Sequence, residues 1–138
     1  MKFLCVFSTA TLLLACMNLA RAEVAAVNPS VSEVHLTAER VRDILLGRVT
    51  TWVDGSPVII VLADDPADDL EVVAITGRDR QRLVRGWKRL VYAGNGAMPL
   101  QVSSHREALA TVAAHPGAIA LVATAEPGSP WKAIAVEH

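Results

Sequence analysis

The sequence predicts an α/β domain in which helices flank a mostly parallel sheet. Residues 58–62 are continuously apolar, which is typical of a strand buried on both faces. Further along, Leu83, Trp87 and Leu90 recur at helical spacing and form one apolar face. Strand and helix signals of these two kinds alternate along the chain, and such alternation indicates a parallel sheet covered by helices.

The first third of the domain contains one strand and one helix. Val24–Val27 is a short apolar strand, and turn residues follow it at 28–30. Thr37 is the predicted N-cap of a helix that ends near Gly47.

The strand at 58–62 is followed by two predicted helices. A short helix spans 70–75 and ends at Gly77. Asp79 then caps a longer helix that reaches about Tyr92.

The last third returns to strands. A strand at Leu100–Val102 precedes a helix, for which Ser104 and Glu107 have the spacing of a capping box. Two more strands are predicted at 119–123 and 131–136.

The N-terminus resembles a cleavable signal peptide. Lys2 precedes an apolar run at 3–14, and Ala20-Arg21-Ala22 fits a cleavage site after Ala22. We therefore expect residues 1–22 to be a signal peptide, residues 23–138 to be one domain, and the product to be periplasmic or secreted. An uncleaved anchor and a lipoprotein acylated at Cys16 are the alternatives.

Cleavage changes the chemistry that remains. Cys5 and Cys16 leave with the signal peptide, so disulfide and thiolate chemistry are excluded. Lys2 and Arg21 leave too, so 11 of the 13 basic residues face all 14 acidic ones and the net charge becomes about −3. This balance argues against a general nucleic-acid binder, which is basic.

No pattern for catalysis, a metal or a cofactor is found. The four histidines lack metal-ligand spacing, and no G-x-S-x-G elbow or phosphate-binding glycine loop follows a strand. The sequence thus predicts a protein without enzymatic activity, a metal ion or a cofactor.

Four segments carry a family resemblance. They are LLGRVTTW at 45–52, WKRL at 87–90, GNGAMP at 94–99 and VAAHPGAIALV at 112–122. In this order they resemble segments of the substrate-binding proteins of phosphate ABC transporters. The resemblance implies a single lobe of a type 2 periplasmic-binding-protein-like fold. It also implies phosphate or another small anion as ligand, and an ABC transporter as partner.

One stretch departs from that family. Where phosphate binders have an Arg and a Ser-Gly-Thr-type turn, residues 63–69 read ADDPADD. Its four aspartates repel phosphate, and their spacing matches no EF-hand loop. A solvated loop with acids at a helix start is the expectation for this acidic segment.

Two other places remain for a small anion, and one for a larger partner. Asn28 and Ser30 follow the first strand, whereas Ser103 and Ser104 follow a later one and open a helix. The basic residues at 78–89 form either a solvated helix face, partly paired with the acidic segment, or a surface for an acidic partner or an anionic membrane.

Two functions follow from these expectations. The first is an exported solute-binding protein that binds phosphate or a small anion, with a homodimer or a partner completing its cleft. The second is an envelope adaptor that keeps the fold without the anion site and contacts another envelope protein.

Overall fold

A six-stranded sheet forms the centre of the computed structural model, which describes residues 23–126 and 130–138. The predicted signal peptide at 1–22 and its cleavage site lie outside the described residues. Four helices cover the sheet, and the strands run in the order β2-β6-β1-β5-β3-β4. The strands are β1 Val24–Val27, β2 Leu36–Thr37, β3 Ile59–Ala63, β4 Leu100–Val102, β5 Ala118–Val122 and β6 Lys132–Glu137. The helices are α1 Ala38–Leu45, α2 Pro66–Thr76, α3 Arg80–Tyr92 and α4 His105–Ala114.

One strand runs against the others. β1 is antiparallel to both of its neighbours, β5 and β6. The pairs β2–β6, β3–β4 and β3–β5 are parallel. Five strands therefore share one direction, which confirms the mostly parallel sheet, and β1 ends at the opposite edge of the sheet from the rest.

Each face of the sheet has its own core. Alternate residues of β3 belong to different cores: Ile60 and Leu62 pack with helices α1, α2 and α3, whereas Val61 and Ala63 pack with α4. The chain thus forms three layers, with three helices on one face and one on the other. Both cores exclude solvent. The side chain of Val112 is buried in the core beside α4, and that of Trp52 is buried in the other core.

Most helix starts agree with the predictions. Thr37, Asp79 and Ser104 each accept a hydrogen bond from the backbone N–H three residues further on, as N-caps do. Gly77 ends α2 in the left-handed conformation.

Helix α2 is longer than predicted. It begins at Pro66 rather than at residue 70, because Asp65 caps it and proline suits the first helical position. The two-residue strand β2 was not predicted and pairs with β6. Within the described residues, no helix is long and apolar enough to cross a bilayer.

Candidate functional site

The edge of the sheet at the carboxyl ends of β3, β4 and β5 brings two helix N-termini together. α2 begins after β3 and α4 after β4. In open α/β sheets, ligands bind at this edge, where backbone N–H groups at helix starts are available. We refer to it as the strand-carboxyl edge.

The start of α2 is occupied by a carboxylate of the chain itself. Oδ1 of Asp65 accepts hydrogen bonds from the backbone N–H groups of Ala67, at 3.0 Å, and Asp68, at 3.1 Å. These are the donors that an anion at this helix start needs, and a negative charge already satisfies them.

Asp68 joins three elements at this edge. Its side chain is only 3% exposed. Oδ1 accepts from the backbone N–H of Ala123, just after β5, at 2.9 Å, and Oδ2 lies 2.7 Å from Nδ1 of His105 on α4. The expectation of a solvated acidic segment was therefore wrong for Asp68, because folding supplies two hydrogen-bond donors that compensate its burial.

The start of α4 is occupied in the same way. Oγ of Ser104 accepts from the N–H of Glu107 at 3.1 Å. Oε2 of Glu107 in turn accepts from the N–H of Ser103 at 3.0 Å and from its hydroxyl at 2.5 Å. The carboxylate thus returns to Ser103, one residue before the N-cap, and not to the cap residue of a standard capping box.

Hydrogen bonding shifts the pKa of Glu107. The bond from the Ser103 hydroxyl, and then the bond from its N–H, hold the pKa of this carboxyl below the ordinary value of 4.5. Glu107 is therefore ionised at neutral pH, and it presents a full negative charge beside both predicted serines.

The remaining aspartates add to the negative charge. Asp64 pairs with Arg80 at 2.9 Å. Burial raises the pKa of Asp69, although the charge of Arg80 acts in the opposite direction. Only one of the basic side chains at 78–89, Arg80, forms an ion pair with the acidic segment in the described structure.

Asn28 and Ser30 lie at the opposite edge of the sheet. The N–H of Asn28 donates to the carbonyl of Ala118 at the beginning of β5. Its buried side-chain amide donates to the carbonyls of Val112 and Ala113 at 2.9 and 3.0 Å. Asn28 thereby satisfies the last turn of α4.

Ser30 belongs to the same turn. Its N–H donates to Oδ1 of Asn28 at 2.9 Å, and its hydroxyl accepts from the N–H of Gly117 at 3.0 Å. The four predicted residues therefore form two separate pairs: Asn28 with Ser30, and Ser103 with Ser104. They are separated because β1 runs against the other strands, which its four apolar residues did not indicate.

Sequence reasoning missed the groups that fill the strand-carboxyl edge. The capping-box spacing identified Glu107, but nothing indicated that its carboxylate would bind Ser103. The contact between Asp68 and His105 joins residues 37 positions apart, and no local pattern announces it. In residues 23–126 and 130–138, no group of three or more His, Cys, Asp or Glu side chains is placed to hold a metal ion.

The comparison with solved structures places the fold. No protein-family model matches the sequence, and no curated protein matches it. The structure is similar to the crystal structure of an ABC-type phosphate transport receptor from Vibrio cholerae, with a TM-score of 0.59 and 15% sequence identity. The match covers 82% of this chain and 45% of the receptor, so this chain spans less than half of that protein's length.

The class of fold follows from this likeness. The chain has a distant periplasmic-binding-protein-like fold, in agreement with the expected α/β lobe. At 15% identity the likeness concerns the fold alone.

Proposed function

We propose that this chain is an exported envelope interaction module that keeps a solute-binding-like lobe without binding phosphate at the strand-carboxyl edge. It acts by contact with another protein and carries out no catalysis. Export rests on the sequence of residues 1–22, as described above. The likeness of the fold favours a role related to solute uptake, whereas the carboxylates at the strand-carboxyl edge support an adaptor over a phosphate binder.

One observation carries the proposal. Three carboxylates of the chain, on Asp65, Asp68 and Glu107, accept hydrogen bonds from backbone N–H groups at the strand-carboxyl edge. The donors are the N–H groups of four residues: Ala67, Asp68, Ser103 and Ala123. An oxyanion that binds at this edge has to displace these carboxylates. Because they are covalently part of the chain, they stay close to the donors and compete strongly.

Electrostatics opposes phosphate at the same place. The displaced carboxylates remain nearby, and Asp64 and Asp69 lie on the same segment. Like charges a few ångströms apart repel by about 1 kcal/mol in water and by about 4 kcal/mol at an effective dielectric constant of 20. Arg80, the basic residue paired at this edge, is bound to Asp64.

Calorimetric titration of the purified protein with phosphate tests the proposal. We expect no saturable heat from the wild type. Asp65→Ser and Glu107→Gln each remove one of the competing charges and keep a polar group at the helix start, so any gain of phosphate binding should appear in these variants first. Saturable binding of phosphate to the wild type would overturn the proposal.

Phosphate or small-anion binding is the second candidate, with an ABC transporter as the partner. The likeness of the fold to a phosphate transport receptor favours it. In this case Ser103 and Ser104 supply hydroxyls at the start of α4, and Asn28 and Ser30 supply a separate polar turn. A second copy of the chain completes a cleft that one lobe leaves open. Loss of phosphate binding in Ser103→Ala, with binding retained in Ser30→Ala, would assign the site to α4.

A further inference from the structure

Helix α3 and the turn before it carry a cluster of arginines that form no ion pair within the described residues. Arg78, Arg82, Arg85 and Arg89 line a shallow groove of about 430 Å³ together with Gly77 and Gly86. We call it the arginine groove. No acidic side chain lines it, and within the described part of the chain none of the four guanidinium groups forms an ion pair.

The spacing of the arginines makes the groove long. Arg82, Arg85 and Arg89 follow one another at intervals of three and four residues, so they lie on one side of α3. The seven steps from Arg82 to Arg89 rise by about 10 Å at 1.5 Å per residue. One small anion contacts only part of such a row, whereas an extended segment follows it with successive side chains.

Gly86 lines both the arginine groove and the hollow that adjoins it. It is an interior residue of α3, where glycine is less favourable than alanine by about 1 kcal/mol. A Cβ atom placed there would lie 3.3 Å from the Arg78 guanidinium. Because Gly86 has no side chain, the Arg78 guanidinium can lie directly over the helix backbone at this position.

An apolar slot joins the arginine groove. It measures about 290 Å³ and lies between the end of α1 and α3. Its apolar lining residues are Leu46 and Leu90, which are half-buried, and Leu45, Leu83 and Trp87, which are buried beneath them. It shares Arg78, Gly86 and Arg89 with the groove, so an apolar side chain and neighbouring carboxylates can be accommodated side by side.

We propose that the arginine groove and the adjoining apolar slot bind an acidic segment of a partner protein that carries an aliphatic side chain among its carboxylates. This inference rests on the proposed function and names the surface and the chemistry of its partner. Arginine forks bind carboxylates with two parallel hydrogen bonds. The concave shape and the slot favour a protein segment over a flat anionic membrane.

Fluorescence anisotropy with a labelled peptide of alternating glutamate and leucine tests the surface. Arg82→Gln with Arg89→Gln is the groove variant. Lys88→Gln with Arg106→Gln removes the same charge elsewhere and is the matched control, because Lys88 lines a different hollow on α3 and Arg106 lies on α4. We expect saturable binding that weakens about tenfold or more in the groove variant, which is about 1.4 kcal/mol, and changes little in the control.

A second variant tests the shape without changing charge. Gly86→Leu replaces a poor helix former by a good one and fills the junction of groove and slot, so the protein should stay folded while peptide binding falls. A peptide with serine in place of leucine should also bind more weakly. Melting curves of each variant check that the fold is intact.

The results separate this inference from the proposed function. Equal weakening in the groove and control variants, or no peptide binding, overturns the arginine groove as a docking site. Groove-dependent binding to anionic phospholipid vesicles without peptide binding assigns it to a membrane and also overturns it. Saturable phosphate binding at the strand-carboxyl edge overturns the proposed function instead. Absence of both phosphate and peptide binding leaves an adaptor that uses another surface.

Discussion

Nδ1 of His105 lies 2.7 Å from Oδ2 of Asp68, and this contact connects α4 to α2 across the strand-carboxyl edge. The aspartate is 3% exposed and the histidine 29%. The second oxygen of Asp68 is bound by the N–H of Ala123, so the same carboxylate also fixes the chain after β5. A buried acid thus connects three segments that meet at the strand-carboxyl edge: the start of α2, the start of α4 and the chain after β5.

Removal of the histidine tests this junction. His105→Ala leaves one oxygen of a buried carboxylate without its partner, and we expect a loss of about 1–3 kcal/mol in the free energy of unfolding. His35→Ala is the matched control, since it breaks an exposed contact with Glu137 and should cost less than about 1 kcal/mol. Urea denaturation measures both. Equal losses in the free energy of unfolding would mean that the contact between Asp68 and His105 stabilises the fold no more than an exposed contact does.

Asn28 has a structural role whether or not an anion binds near it. Asn28→Ala removes two hydrogen bonds to the last turn of α4 and one from the N–H of Ser30. We expect a loss of about 2 kcal/mol, because buried carbonyls are left without donors. Asn95→Ala, in an exposed loop, should change the stability by less than about 0.5 kcal/mol. An Asn28→Ala protein that is as stable as the wild type would contradict this role.

Gly117 occupies a place that no side chain fits. Its φ is +81°, and a Cβ atom there would lie 2.4 Å from the carbonyl oxygen of Pro57. The Gly117 carbonyl also accepts a hydrogen bond from the indole of Trp52, at 2.9 Å. Gly117→Ala should therefore lower the free energy of unfolding by about 3 kcal/mol or more.

Gly94→Ala provides the matched control for Gly117→Ala. Gly94 has a similar φ, +83°, but a Cβ atom there meets nothing within 4 Å. Gly94→Ala should therefore lower the free energy of unfolding only by the cost of holding alanine in the left-handed conformation, about 1–2 kcal/mol. Thermal melts of the two variants compare the costs directly, and similar melting temperatures would contradict the close approach of Pro57.

The stability that Glu107 provides should depend on pH. Its folded-state pKa lies below the ordinary 4.5 because of the hydrogen bonds from Ser103. An acid with a lowered pKa stabilises the folded state above its unfolded pKa, and the stabilisation is lost as the pH falls through the folded value. Glu107→Gln should therefore be less stable than the wild type at pH 7 but equal to it well below pH 4.5.

Denaturation measured across this pH range checks the prediction for Glu107. Glu39→Gln, which removes the first-turn carboxylate of α1, is the control for a charge at a helix start. A Glu107→Gln deficit that persists unchanged at low pH would show that the effect does not come from ionisation.

Local signals explain how much of the fold was predictable. Val24–Val27 and Leu100–Val102 were predicted with their observed bounds, and the N-caps Thr37, Asp79 and Ser104 were also correct. These features depend on residues a few positions apart. The direction of β1 depends instead on its pairing with residues of β5 about 95 positions away, such as Val27 with Ile119. No local pattern encodes it.

The same distinction applies to the site. The sequence identified the acidic segment as incompatible with phosphate, and that argument agrees with the carboxylates observed at the strand-carboxyl edge. It treated the segment as solvated, because nothing near Asp68 in the chain announces His105 or Ala123. The sequence also indicated two places for a small anion, Asn28 with Ser30 and Ser103 with Ser104. Only the directions of the strands show that these pairs lie at opposite edges of the sheet.

Carboxylates of the chain itself bind the N–H groups of four residues at the strand-carboxyl edge, and these contacts exclude phosphate from it in the proposed function. The most direct measurement is an NMR titration of the isotope-labelled protein with phosphate, following the backbone amide signals of Ala67, Asp68, Ser103 and Ala123. We predict that these four signals stay in place as phosphate is added at constant ionic strength. Saturable shifts of the same four signals, with a common dissociation constant, would contradict the claim and identify the edge as a phosphate site.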